Sequence, residues 1–348
     1  MEEFRLEKPN LSGLDQSSVA QAFVESIPTM YPFLHRVNEQ QYLYWTSVKR
    51  KDRPEGMSAE IFWSIVKLNR KFQLRYLLPR AENNQKFSWY RQQRLDKILR
   101  RIDMELGGQM LTDQLGTEKH QKFVARGLLE EAIASSQLEG ADTARRVAKQ
   151  MIAEGRTPQN KSEYMIYNNY RTMKVIEENL VAKELSEELL LDLHAQLTEK
   201  TIEQADVGRW RKDSDEIVVQ DRTSGVIYHI PPAESFARAE LRRLITYFND
   251  PEEDVHPVIK AIALHFWLAY LHPFVDGNGR MARMLFYWYL LKKNYWMMSF
   301  VPISTVIKRS PRRYSDAYVF SEQDDNDLTY FISYNVDQLI KAMDELQG

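Results

Sequence analysis

The stretch Leu271-His-Pro-Phe-Val-Asp-Gly-Asn-Gly-Arg-Met-Ala-Arg283 interrupts a strongly helical part of the chain. Upstream, Pro257 opens an apolar segment with helical periodicity, and Pro273 predicts that this helix ends at the residue before it. Two glycines then flank Asn278 in a short turn, and another helix is predicted over residues 279–293. The stretch therefore predicts two helices joined by a tight turn whose backbone a ligand can approach closely.

Helical periodicity also dominates on either side of these two helices. Further helices are predicted at residues 58–72, 89–106, 119–138, 142–153, 161–182, 186–199 and 235–248. The one clear β pattern lies at residues 216–220 and 226–230, with turn residues between them, so it predicts a single hairpin. The sequence therefore predicts an all-α fold with one β-hairpin.

The composition is that of an ordinary globular protein with one or two domains. The 348 residues are 43% hydrophobic and 28% charged, and none is cysteine. The lack of cysteine excludes disulfides, thiolate metal sites and cysteine nucleophiles, and it fits a reducing compartment. No secretory signal and no apolar run long enough for a bilayer is visible, so we expect a cytoplasmic protein with no membrane partner.

Positive charge is concentrated near the N-terminus. Residues 49–101 hold 15 Lys and Arg against 5 Asp and Glu, although the net charge of the whole chain is −2. Such a region could meet nucleic acid or an acidic partner. No known nucleic-acid motif accompanies it, so we favour solvated helix faces and do not expect nucleic acid as a partner.

The turn has the features of an anion-binding site. Gly277 and Gly279 can take positive φ, and successive amide groups at such a turn, together with the helix start, form an anion-binding nest. Arg280 and Arg283 share one face of the first helical turn. Two cations there oppose the helix dipole at roughly 0.3–1 kcal/mol each, which favours a bound polyanion such as a triphosphate.

Two further side chains in the stretch add chemistry to the nest. Asp276 offers the hard oxygen that Mg²⁺ prefers when it bridges phosphates. His272 lies at the edge of the nest, and an unperturbed imidazole pKa near ~6.5 suits a general base. Together these groups predict a site where a hydroxyl attacks a phosphorus centre.

The stretch is similar to the Fic family motif H-x-F-x-D/E-G-N-G-R-x-x-R at every specified position. The resemblance extends over residues 119–340 and implies an all-α Fic fold. It also implies transfer of AMP from Mg-ATP to a Ser, Thr or Tyr hydroxyl of a target protein or of the chain itself. It assigns His272 as base, Asp276 as Mg²⁺ ligand, Gly277, Asn278 and Gly279 as phosphate cradle, Arg280 to the β-phosphate and Arg283 to the γ-phosphate.

The hairpin at residues 216–230 resembles the family's flap, which holds a target segment by adding it as a β-strand. We call these residues the flap. Tyr228 and His229 are its candidate contacts with target or nucleotide. Downstream, Tyr314 and Glu322 are candidates for the adenine or ribose pocket.

Residues 135–140, Ser-Ser-Gln-Leu-Glu-Gly, resemble the family's inhibitory motif S/T-x-x-x-E-G/N. We call them the inhibitory segment. A glutamate in the last turn of a helix faces the negative end of the dipole and is unfavourable unless a cation is near. If Glu139 pairs with Arg283, the γ-phosphate loses its partner and the α-phosphate cannot align with the hydroxyl. Ser135 begins the motif.

The resemblance divides the chain into an N-terminal helical subdomain, residues 1–110, and a Fic domain, residues 111–348. The Fic domain then contains the inhibitory helix 119–140, the flap and the active-site motif 272–283. Removal of AMP, transfer of another phosphate-containing group, and a nucleotide-sensing regulatory module remain alternatives. Family members often dimerise, so a homodimer is a further expectation.

Overall fold

The computed structural model describes residues 2–107, 117–221, 223–252 and 255–347. Its α-helices are α1 (Gln16–Leu34), α2 (Trp45–Val48), α3 (Ala59–Lys71), α4 (Gln93–Leu106), α5 (Thr117–Leu138), α6 (Arg145–Ala153), α7 (Lys161–Val175), α8 (Glu187–Thr198), α9 (Glu234–Asn249), α10 (Pro257–Leu271), α11 (Asn278–Lys292), α12 (Ile303–Ile307), α13 (Pro311–Gln323) and α14 (Thr329–Gln347). The strands are β1 (Leu74–Arg80), β2 (Lys86–Tyr90), β3 (Val219–Gln220) and β4 (Ile227–His229). The all-α class is confirmed.

Helices α10 and α11 lie at the centre of the molecule. Each has 15 residues, of which 13 are buried, because their side chains are apolar on nearly every face. Helix α10 packs against α9, α11 and α14, while α5 and α7 pack against each other beside them. The turn between α10 and α11 is therefore held between two almost fully buried helices.

The N-terminal region contributes most of a second, smaller core, which includes Trp45 and Phe62 together with Tyr330 of α14. Arg70 of α3 is fully buried in it, with its guanidinium 3.8 Å from the ring centroid of Tyr42. Arg70 Nη1 also donates to the hydroxyl of Tyr330 on α14, at 2.8 Å. The predicted boundary between residues 110 and 111 lies outside the described residues, and the division into two subdomains stays a prediction.

The structure contains a hairpin that the sequence pattern missed. Strands β1 and β2 pair antiparallel, and Asn84 takes a left-handed φ of 66° in the turn between them. The helix predicted from residue 89 is wrong at its start, since Trp89 belongs to β2. Phe87 of this strand packs its ring 4.9 Å from that of Phe266 on α10, and this long-range packing selects the strand.

The flap is present but shorter than predicted. Pairing is confined to β3 and β4, with an irregularity between Val219 and Gln220. Glu216 lies before the ladder in a left-handed conformation with φ of 50°. None of the helices in the described part of the chain combines the length and apolar character that crossing a bilayer requires.

Helix α5, which carries most of the inhibitory segment, is fastened to residues 299–304, which follow α11. Gly127 packs so closely that an added Cβ would overlap the carbonyl oxygen of Ser299 and lie 2.7 Å from Cα of Phe300. One turn later, the buried carboxylate of Glu131 accepts hydrogen bonds from the amide of Ser304, at 2.8 Å, and from its hydroxyl. These contacts hold α5 in place one to two turns before the inhibitory segment.

Gly127→Ala is expected to lower the free energy of unfolding by about 1–3 kcal/mol, because the new methyl group collides with backbone that cannot rotate away. Helix propensity alone would change stability in the opposite direction by roughly 1 kcal/mol. Urea unfolding checks the sign, with the exposed neighbour Arg126→Ala as control. Stabilisation by Gly127→Ala would contradict the close docking of α5.

Candidate functional site

The turn between α10 and α11 is fixed by its own backbone bonds. His272 ends α10 with φ of 47° and ψ of 56°, and its amide donates to Leu268 O at 3.0 Å. Gly277 precedes α11 with φ of 86°, a conformation that favours glycine. The Asn278 side chain bridges the turn: its Oδ1 accepts from the Phe274 amide at 2.9 Å and its Nδ2 donates to the Phe274 carbonyl at 2.8 Å.

A second histidine, His194 of α8, contacts the turn through the carbonyl of Asp276. Its Nδ1 accepts from the amide of Gly208 at 3.1 Å, so its Nε2–H donates to the carbonyl of Asp276 at 2.9 Å. The ring stacks on Phe274 at 3.9 Å between centroids. Burial lowers the pKa of His194 to about 4, so it is neutral at physiological pH. No motif in the sequence marked this residue.

The His272 side chain lies at the mouth of the turn and is partly exposed. Its Nδ1 lies 3.2 Å from the carbonyl oxygen of Ala269, which can only accept, so Nδ1 carries the proton and Nε2 keeps its lone pair. Burial, and then the nearby His229, lower the pKa of His272 to about 3. His272 is therefore a neutral imidazole, able to accept a proton.

Arg280, in the first turn of α11, is 1% exposed. Its Nη1 donates to Leu197 O at 3.3 Å, whereas its Nε and Nη2 have no hydrogen-bond partner among the described residues. Burial lowers its pKa from the usual range. Buried donors without partners are costly, so this arginine fits an anionic ligand that would satisfy them.

Arg283, one turn further along α11, binds the inhibitory segment. Its Nη2 lies 2.6 Å from Oε1 of Glu139, and its Nε and Nη2 donate to the hydroxyl and carbonyl of Ser135 at 2.9 and 3.0 Å. Burial alone raises the pKa of Glu139, but the charge and hydrogen bond of Arg283 lower it below its usual value. Glu139 is therefore an ionised carboxylate at the end of α5.

Glu139 also covers the start of α11. A Cβ added at Gly279 would overlap Oε1 of Glu139, so the carboxylate lies directly on the first turn of that helix. The unsatisfied amides of a helix start are where an anion is bound best. The carboxylate thus lies at the position that the sequence analysis gives to a phosphate.

Asp276 is the candidate metal ligand. Its Oδ1 accepts from the amide of Gly277 at 2.6 Å, and its carboxylate is partly exposed. Within the described ranges no group of three or more His, Cys, Asp or Glu side chains forms a protein-only metal cluster. Mg²⁺ commonly takes one or two carboxylates together with substrate phosphates and water, so a single aspartate beside an anion nest fits it.

The flap places its two candidate residues differently. His229 lies with its ring centroid 6.4 Å from that of His272, and its Nδ1 contacts Glu322 at 2.9 Å. Burial lowers the pKa of His229, but the charge of Glu322 raises it above its usual value. Tyr228 instead packs against Phe4, at 5.2 Å between ring centroids.

Tyr314, the other candidate for the adenine or ribose pocket, contacts different residues from Glu322. It is buried, and its hydroxyl lies 2.7 Å from Nε2 of His265 on α10. Its pKa is raised by burial, with Arg283 opposing that shift. Tyr314 is thus placed beside the buried side of Arg283.

Acid is expected to weaken the fold through His194. Its pKa is about 4 in the folded chain and ~6.5 when unfolded, so between these values the unfolded state binds more protons and stability falls as pH falls. The full contribution, on the order of 3 kcal/mol, is present above pH ~6.5. Urea unfolding of the unmodified chain and of His194→Gln should differ at pH 7.5, and the difference should shrink by about 2 to 3 kcal/mol at pH 4.5.

The same change at His256, a partly exposed residue at the start of α10, is the matched control. A difference between His194→Gln and the unmodified chain that does not change with pH would contradict the neutral, doubly hydrogen-bonded His194.

The fold and this geometry define a class of helical proteins in which two central helices are joined by a tight turn, with an imidazole, a carboxylate and two arginines at or beside it. A sequence model of the Fic/DOC family matches residues 184–290, which contain the flap and the turn. Residues 184–290 of the chain are therefore similar to the Fic/DOC family. The inhibitory segment lies outside the matched residues.

Two relatives illustrate how far the sequence similarity reaches. A protein of Nematostella vectensis is 32% identical over 121 residues, which are 32% of this chain and 25% of the relative. A protein of Drosophila grimshawi is 30% identical over 125 residues, or 35% of this chain and 24% of the relative. Both are named Protein adenylyltransferase Fic. The matched region is about a quarter of the length of these curated relatives.

Solved structures share the fold over most of the chain. A Fic family protein from Desulfovibrio desulfuricans G20 has a TM-score of 0.58 and 21% identity, covering 72% of both chains. A Fic domain containing signaling protein from Bacteroides thetaiotaomicron has a TM-score of 0.51 and 19% identity, covering 72% of this chain and 97% of the other. The predicted Fic fold is thus confirmed.

Proposed function

We propose that the chain is a protein adenylyltransferase, which moves AMP from Mg-ATP to the hydroxyl of a Ser, Thr or Tyr side chain on a target protein or on itself. The observation that carries the proposal is the buried Arg280 beside the glycine turn, with two donors that have no partner among the described residues. A triphosphate in the turn would satisfy both donors. The relatives' name, Protein adenylyltransferase Fic, supports the same activity.

His272 is the general base of this reaction. Its Nε2 takes the proton of the target hydroxyl, and the hydroxyl oxygen forms a bond to the α-phosphorus. The bond from that phosphorus to the bridging oxygen of the β-phosphate breaks, and pyrophosphate leaves. The negative charge of the bound nucleotide raises the low pKa of His272 toward the range in which it accepts a proton effectively.

The turn and the arginines hold the nucleotide in line for this attack. The amides of residues 277–279 and the start of α11 bind phosphate oxygens, Arg280 binds the β-phosphate and Arg283 the γ-phosphate. Asp276 is the residue that would hold Mg²⁺. That ion, when bound, neutralises charge on the phosphates.

Glu139 inhibits the enzyme in this proposal. Its carboxylate engages Arg283 at 2.6 Å and covers the first turn of α11. ATP then binds without its γ-phosphate in place, and its α-phosphorus is not aligned with the hydroxyl.

We place the reaction in the cytoplasm, which the cysteine-free sequence fits. We also expect a homodimer, and light scattering can measure the oligomeric state.

The test is to incubate Glu139→Gly with Mg²⁺ and ATP labelled on either the α- or the γ-phosphate, followed by mass spectrometry of the protein. Incorporation of the α-label alone, with the mass of an AMP group, supports adenylylation. Incorporation of the γ-label would instead show phosphoryl transfer. Loss of AMP from a protein modified beforehand would show the reverse reaction. Nucleotide binding without incorporation would favour a nucleotide-sensing regulatory module.

A further inference from the structure

An extended segment near the start of the chain runs along the flap. Residues 2–6, which we call the N-terminal arm, pair with β4 in the parallel direction, with Glu3 opposite Ile227. The amide of Phe4 donates to the carbonyl of Ile227 at 2.8 Å, and the amide of Ile227 donates to the carbonyl of Glu2 at 2.9 Å. The arm thus lies alongside β4 as an extended segment joined to it by one parallel bridge.

The arm is also held by Gln323 of α13. The Gln323 side chain accepts from the amide of Leu6 and donates to the carbonyl of Phe4, both at 2.9 Å. Leu6 is buried, and Phe4 packs on Tyr228 of the flap. These bonds use the backbone of the arm, so any extended segment of suitable side chains can make them.

The edge of β4 that the arm covers leads to the candidate active site. β3 pairs with the other edge of β4, and the arm completes the ladder. His229 follows Ile227 by two residues on β4, about 7 Å further along an extended strand, and lies beside His272. Because the arm and β4 run in the same direction, a strand that stays paired along this edge past Phe4 comes level with His229, which lies beside His272.

We infer that the N-terminal arm occupies the β4 edge that an extended target segment pairs with, and that target docking requires its displacement. That the displacing segment belongs to a target protein rests on the proposed function, whereas the capacity of this edge to bind another extended segment does not. A segment that replaces the arm needs a free amide where Phe4 donates, which excludes proline there. It also needs apolar side chains at the positions of Phe4 and Leu6.

Tethering makes the arm a strong competitor. A segment that belongs to the same chain as its binding site faces that site at an effective concentration on the order of millimolar. A target segment must therefore bind the β4 edge tightly enough to displace a competitor at this effective concentration. This control acts on the protein substrate, whereas Glu139 acts on the nucleotide.

Peptide binding to the 348-residue chain tests the inference without AMP transfer. The probe is a fluorescent peptide of residues 2–9, Glu-Glu-Phe-Arg-Leu-Glu-Lys-Pro. Phe4→Pro removes the amide that donates to Ile227 and should bind the peptide at least tenfold more tightly than the unmodified chain does. Arg5→Pro is the matched control, because the next amide along an extended strand points away from β4.

Gln323→Leu provides a second variant, which frees the arm without changing its sequence and should act in the same direction. A peptide carrying proline at its phenylalanine position should not bind any form. Equal binding of the parent peptide to the unmodified chain, Phe4→Pro and Gln323→Leu would overturn the inference.

A reversible lock tests the link to the target. The chain contains no cysteine, so Glu3→Cys with Ile227→Cys introduces a single pair across the bridge. In the Glu139→Gly background, oxidation should slow AMP incorporation into total extract protein at least tenfold, and reduction should restore it, while ATP binding stays unchanged. Equal rates in both forms would overturn the inference. If no form incorporates AMP, the proposed function fails, and the peptide experiment still decides on the edge.

Discussion

Glu139→Gly is expected to raise the rate of AMP incorporation by on the order of 10²-fold. Misplacement of a reacting group by about 1 Å can cost that much, and the change removes the carboxylate that engages Arg283 and covers the turn at Gly279. Arg283 then becomes available to the γ-phosphate. The measurement is the initial rate with α-labelled ATP at saturating nucleotide.

The same substitution at Glu130 is the matched control, since that residue lies on α5 but pairs with Arg145 and Lys149. It is expected to change stability and leave the rate within a few fold. Glu139→Gln should give an intermediate rate, because it keeps the length of the side chain and loses its charge. Equal rates for Glu139→Gly and the unmodified chain would remove the inhibitory role of this residue.

His272→Ala, introduced into the Glu139→Gly form, is expected to reduce AMP incorporation by about 10²–10⁴-fold. The imidazole is the only group that we assign to the proton of the hydroxyl. ATP affinity should stay within a few fold, because the phosphate-binding amides and Arg280 are untouched. Rapid-quench rates and equilibrium binding of labelled ATP separate the two effects.

His256→Ala, at the opposite end of α10, controls for the loss of a histidine from the same helix. A His272→Ala form that keeps its rate would show that another group, or solvent, takes the proton. A form that loses ATP binding in parallel would make His272 a binding residue instead.

Many helix ends could be predicted from the sequence because local rules govern them. Pro257 begins α10, Asn294 takes a left-handed φ of 65° after α11, and Ser58 caps α3 through the amide of Ile61. Each of these signals acts within a few residues of its element. The turn at residues 272–280 could be predicted for the same reason, because its candidate site residues lie within one short stretch.

Features that depend on distant parts of the chain were not predictable in this way. His194 is 82 residues from the Asp276 carbonyl that it supports, and nothing near it in the sequence marks it. Strand β2 is selected by packing on α10, and the N-terminal arm by its pairing with β4. Such contacts are tertiary, so they override or escape local propensity.

The docking of α5 through Gly127 and Glu131 has a consequence for how fast inhibition responds. In the inhibition that we propose, α5 stays fastened and the inhibited and active states differ by rotation of the partly exposed Glu139 side chain. Rotation of an exposed side chain takes on the order of nanoseconds or less. Turnover is slower, at roughly 1–10³ per second, so the two positions equilibrate many times within each catalytic cycle. The residual activity of the unmodified chain thus reports the free-energy difference between the two positions of the Glu139 side chain. A 10²-fold suppression corresponds to a preference of about 2.8 kcal/mol for the closed rotamer.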